Sequence, residues 1–166
     1  MLEDNFLSEE KDIIRRLHGK PYDFEAMTIV SNLYRAAQRM RIKMEREVLS
    51  EYNLSWTAFD LLHNLWIWEP MEMRKVAKLM GVTVATVSSI TNTLERKELC
   101  VRVADQRDRR LVQLKLTSLG KEVIEDLYPK FNKGEIEIVK GLTEEEGKVI
   151  TELLRKINRN MDYLVD

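Results

Sequence analysis

Two neighbouring stretches hold the residues with the most chemistry to offer. One spans residues 83–97 and reads TVATVSSITNTLERK; the other spans 105–110 and reads DQRDRR. Hydroxyls, an asparagine and clustered arginines are hydrogen-bonding groups for phosphates and base edges. They are not the equipment of bond making, which needs a nucleophile with its base, a metal cluster or a phosphate loop. The chain has no glycine-rich loop, and its two histidines, His18 and His63, have no partner motif. Cys100 is the single cysteine, so neither an internal disulfide nor a cysteine-rich zinc site is available. No catalytic residue, metal site or cofactor is expected.

The formal net charge of −1 hides a strong segregation. Between Met73 and Lys121 there are eleven Lys and Arg against four Asp and Glu, a net +7, which leaves −8 for the rest of the chain. A basic block carried on an acidic scaffold is the electrostatic footprint of a polyanion-binding module. The 166 residues suffice for one domain with a real core. The opening MLEDNFLSEEKDIIRRL lacks the layout of a signal peptide, and no apolar run approaches the ~20 residues of a membrane helix. A soluble cytoplasmic protein with no membrane partner is expected.

The elements that must position the two stretches are legible from periodicity. Ile13, Ile14 and Leu17 predict a short helix closed by Gly19 and Pro21. Met27, Val30, Leu33, Tyr34, Ala37, Met40, Met44 and Val48 recur at three and four, predicting a long helix from Phe24 to about Leu49. Ser55 can cap the next helix, which carries Phe59, Leu62, Leu65 and Trp66 until Pro70 stops it. Helices over 73–80 and 83–97 flank a turn at Gly81. Residues 100–103 and 111–116 then alternate apolar and polar as a two-stranded hairpin with DQRDRR at its tip. Thr117 can cap a helix carrying Leu119, Val123, Ile124, Leu127 and Tyr128, which Pro129 is expected to kink or interrupt. Thr143 and Glu146, in capping-box spacing, open a last helix with Val149, Ile150, Leu153, Leu154, Ile157, Met161 and Leu164. The predicted fold is mainly α with a small β-hairpin wing: a winged helix-turn-helix between helical flanks.

In the helix pair, Ala77 sits where the two helices approach closely, Gly81 makes the corner, and Val87 anchors the second helix. On that helix Val84, Val87, Ile90 and Leu94 are the expected buried stripe. Thr83, Ala85, Thr86, Ser88, Ser89, Asn92, Thr93 and Arg96 are left on or near the outer surface. An ordinary exposed helix favours Lys, Glu, Gln and Arg, the good helix formers. Short polar side chains instead let a helix sit deep in a major groove about 12 Å wide, with hydroxyls and Asn92 on base edges or phosphates and methyls against thymine. Insertion into the groove of double-stranded DNA is the expected role.

Here the sequence resembles the MarR family of bacterial transcription regulators. The resemblance runs from about Phe24 to Leu164 and is most specific in three motifs. These are Leu94-Glu95-Arg96, the run from Asp105 through Arg107 and Asp108 to Arg109 and Arg110, and Leu116-Thr117-Ser118-Leu119-Gly120. It implies a homodimer whose first and last helices intertwine, with recognition helices in successive major grooves and wing tips at the flanking minor groove. It implies that Asp108 orients Arg110 toward the minor groove, with Arg107 and Arg109 mainly on phosphates. A narrow minor groove concentrates negative potential, which arginine exploits. Where many family members carry an arginine or lysine in mid-helix this chain has Ser89, so an A·T-rich preference read through DNA shape is expected.

The resemblance divides the chain into an N-terminal extension over 1–22, a dimerisation helix over 23–54, the winged helix-turn-helix over 55–117 and C-terminal dimerisation helices over 118–166. It implies a sequence-specific regulator, expected to be a repressor, on a pseudo-palindromic operator. It also implies control by a small aromatic or phenolic effector or by cysteine oxidation. Tyr34, Met40, Trp56, His63 and Trp66 could supply a polarizable lining, although aromatics at helical spacing also make an ordinary core. Cys100, at the start of a strand, is read as core. The alternative is a nonspecific architectural or protein-interaction module on the same fold.

Overall fold

Helix formation follows the apolar spacing through most of the chain. The computed structural model describes residues 7–104 and 111–162. They divide into two bodies, Met1–Lys43 and Met44–Asp166. In the first, α1 (Ser8–Leu17) begins with the Leu7 N–H donating to Glu10 Oε2 at 2.7 Å. The same buried carboxylate accepts from Asn32 Nδ2 on α2 (Phe24–Glu47). Burying a carboxylate is tolerable only with such donors. Ile29, Val30, Tyr34 and Ile42 of α2 are exposed.

The second body begins in the last turn of α2, where Met44 is buried. A 3-10 turn (Leu49–Tyr52) leads to α3 (Trp56–Trp68), whose N-terminus is capped by Ser55 Oγ accepting from Ala58 N at 3.3 Å. Then come β1 (Met71–Glu72), α4 (Met73–Met80), α5 (Val84–Arg96), β2 (Cys100–Ala104), β3 (Val112–Leu116), α6 (Ser118–Ile138) and α7 (Glu144–Asp162). Leu61, Leu62 and Leu65 of α3 are fully buried with Val76, Val87, Leu94, Leu114, Ile124 and Leu127, so α3 lies at the centre of the core. Among the described residues no helix is long and apolar enough to cross a membrane.

Three features depart from the sequence expectation. The sheet has three antiparallel strands in the order β1-β3-β2, not two, with Met71 beside Leu114 and Cys100 beside Leu116. A two-residue strand is too short for alternation to show. Pro129 lies inside an unbroken α6, where both it and Glu125, whose carbonyl loses an amide partner, face water. Val84 is 43% exposed, and the buried stripe of α5 is Val87, Thr91 and Leu94. Thr91 can be buried because its hydroxyl donates to the Val87 carbonyl at 2.8 Å.

At the C-terminal end Thr143 and Glu146 form the expected reciprocal cap, at 2.8 and 3.2 Å. Yet Val149, Ile150, Leu153, Leu154 and Met161 of α7 are all exposed. A helix with so regular an apolar stripe normally buries it. Ile136, Val139 and Leu142, just before α7, are exposed as well.

Candidate nucleic-acid interface

The turn between α4 and α5 is built for a sharp corner. Gly81 adopts φ 64°, which lets Val82 N donate to the Ala77 carbonyl at 3.0 Å and close the end of α4. Thr83 then caps α5, its Oγ1 accepting from Thr86 N at 3.1 Å and lying 2.9 Å from Thr86 Oγ1. Ala77 is buried at the crossing, as its size predicts.

Burial of Val87, Thr91 and Leu94 fixes what α5 turns outward. At about 100° per residue, Ala85, Ser89, Asn92 and Arg96 form a single stripe about 200° round the helix from them. All four are exposed. Among the described residues the Asn92 side-chain amide makes no hydrogen bond, while Arg96 folds back on its own helix, with Nη2 on Thr93 Oγ1 at 3.3 Å. Thr83 and Thr86 are exposed at the N-terminal end of α5, off the stripe. Ser88 is placed differently: it is half-buried and its Oγ accepts from Arg102 of β2. Arg107, Asp108, Arg109 and Arg110 lie outside the described residues.

Gly120 explains the last motif. A Cβ there would stand 1.9 Å from the Leu99 carbonyl oxygen. This close approach lets Thr117 N donate to Leu99 O at 3.2 Å and Thr117 Oγ1 donate to Glu98 O at 2.5 Å. The start of α6 is thereby tied to the turn between α5 and β2. Thr117 also caps α6, accepting from Gly120 N at 2.9 Å.

Cys100 is buried, with Sγ 4.0 Å from the Thr91 carbonyl. Burial, aided by the Glu95 charge, pushes its thiol up to about 12 against a weaker opposing pull from Arg102. A thiol so rarely ionised suits a packing role rather than redox chemistry.

The candidate effector residues are placed unevenly. Phe59 stacks on Phe131 with ring centroids 4.2 Å apart, and His63 stacks on Tyr128 at 5.2 Å. Trp66 lies 5.1 Å from Tyr128, and Trp56 lies 5.9 Å from Phe131. Trp56, His63 and Trp66 are thus half-buried against rings of α6. Tyr34 is exposed and Met40 half-buried on α2, in the other body. A cleft of about 550 Å³ opens elsewhere, at the C-terminal end of α5, lined by Glu45, Asn53, Ser55, Ala58, Leu94 and Lys97 among others.

A family model described as the MarR family matches residues 54–112, which run from Leu54 just before α3 to the start of β3. The helix-turn-helix-type transcriptional regulator YwaE of Bacillus subtilis, itself uncharacterized, is 51% identical over 156 residues, covering 92% of this chain and 91% of YwaE. Among solved structures, the Staphylococcus aureus MepR–DNA complex has a TM-score of 0.73 at 27% identity, covering 78% of this chain and 96% of MepR. BpsR of Bordetella bronchiseptica, whose DNA binding is regulated by 6-hydroxynicotinic acid, has a TM-score of 0.74 at 27% identity, covering 83% of this chain and 97% of BpsR.

Proposed function

The chain belongs to the MarR family of transcriptional regulators, and from that premise we propose that it binds a pseudo-palindromic DNA operator as a homodimer and represses transcription by occupying it. The observation that carries the reading is the outward stripe of α5. Ala85, Ser89 and Asn92 are short enough for the backbone to approach the floor of a major groove, and Arg96 stands at the end where the phosphates return. Thr83 and Thr86 reach the backbone on entry, and Ser88 acts from the flank. Arg107, Arg109 and Arg110 meet phosphates and minor groove, with Asp108 orienting Arg110.

The second copy is supported by apolar faces that the single chain leaves exposed on α7 and α2. They lie in the flanks 23–54 and 118–166, outside the winged helix-turn-helix of 55–117. Two copies joined there would hold their α5 helices about one turn of DNA apart. Regulation by a small aromatic effector is supported by the half-buried rings of Trp56, His63 and Trp66. A protein that works on chromosomal DNA works in the cytoplasm of a bacterium.

Competition binding tests the reading. A specific regulator prefers its own site over random duplex by about 10³-fold or more. A ratio near one would instead mark a nonspecific architectural binder, and no binding at all a protein-interaction module.

A further inference from the structure

One guanidinium spans two turns of the outward helix. Arg102 lies mid-strand in β2, opposite Leu114. Its backbone N–H donates to Glu95 Oε1 at 3.0 Å, and its Nη1 pairs with Glu95 Oε2. Its Nη2 donates to the Ser88 carbonyl at 3.1 Å and to Ser88 Oγ at 3.3 Å. Ser88 and Glu95 are about 10 Å apart along the helix axis and share a flank roughly 80° from the stripe of Ala85, Ser89, Asn92 and Arg96. The bridge therefore grips α5 beside its outward face without occupying it. With the Arg102 and Glu95 side chains only 27% and 31% exposed, the pair is screened by salt less than a surface pair.

We propose that Arg102 is a positioning residue for sequence recognition: it locks α5 and the wing hairpin into one setting, so that groove and flank must be read in a fixed register. The inference rests on the DNA-reading function proposed above. Arginine is required because its donors form a rigid fork that serves a carboxylate and a carbonyl at once, whereas an ammonium is a compact point charge. Although Arg102 belongs to the basic block, its donors are turned inward. It contributes to recognition by geometry, not by contact with phosphate.

The test is competition between the operator recovered from random duplexes and random DNA, repeated over a salt series. Arg102→Lys keeps the charge and loses the fork, so discrimination should fall about tenfold with an unchanged salt slope. Glu95→Gln should also lower discrimination, and the double variant should lose no more than Arg102→Lys alone, since the lysine has already given up the Glu95 pair. Should Arg102→Lys fail to fold by circular dichroism, Glu95→Gln decides: a several-fold loss of discrimination supports the proposal and an unchanged ratio overturns it. Full discrimination in Arg102→Lys overturns it, as does a salt slope smaller by about one in Arg102→Gln, which is the mark of a phosphate contact. If the unaltered protein does not discriminate, the DNA-reading function fails first, and the inference with it.

Discussion

Asn92 presents its amide on the outward stripe of α5, about two turns from Ala85, where an adenine edge would accept and donate to it. Asn92→Ala should relax sequence choice at one position by about 1–3 kcal/mol while leaving the salt slope alone. Arg110→Ala should weaken binding to all sequences and reduce that slope by about one. Salt-dependent titrations with matched and single-base-changed duplexes separate the two. A different kind of residue is Gly120: a methyl 1.9 Å from the Leu99 carbonyl oxygen forces the start of α6 away from the turn between α5 and β2. Gly120→Ala should cost about 3 kcal/mol in a denaturant titration at fixed protein concentration. At this scale the sequence was only partly legible. Apolar spacing puts Val84 in the buried stripe and passes over Thr91, because periodicity cannot see a hydroxyl satisfied by its own helix. Nor can it see Arg102 reaching Glu95, since that pairing depends on how a strand returns across a helix flank.

Among the elements, those with strong local signals were legible to within a residue or two. Ser55, Thr117 and Thr143 cap helices as the sequence predicts, because a cap is chemistry confined to four neighbouring residues, and Thr83, read only as a helix start, caps α5 in the same way. β1 was hidden by its brevity, and the continuity of α6 by Pro129, whose effect depends on whether the freed carbonyl reaches water. The α3–α6 ring contact brings a pH dependence. Burial lowers the His63 pKa below its ordinary value, against the charges of Asp60 and Glu135. Below about pH 6.5 the unfolded chain then takes up a proton that the folded chain resists. The stability this residue contributes is therefore present above that pH and lost as pH falls through the lowered folded value. Thermal melts of His63→Gln should be flatter between pH 7 and 5 than those of the unaltered protein. Equal slopes would mean that the stacked imidazole bears its charge without cost.

For the whole molecule, the fold class and the family were legible because the helix-turn-helix corner and the wing motifs are contiguous in sequence. What covers α7 was legible only through the resemblance, which implies a second copy, because apolar spacing marks a stripe without naming its partner. Leu153 is 54% exposed, so Leu153→Glu should hardly disturb the protomer. It should convert the protein to a monomer by light scattering and cost at least about 100-fold in operator affinity, because one half-site alone must then supply the binding. A dimer that survives this change would place the interface elsewhere. The most direct test of the central claim, that paired α5 helices read DNA by their short outward stripe, is selection of bound sites from random duplexes. The account predicts a two-fold symmetric consensus whose half-sites are centred about 10 base pairs apart, with A·T-rich cores beneath Ser89 and Asn92. A consensus without two-fold symmetry, or no enrichment at all, would contradict it.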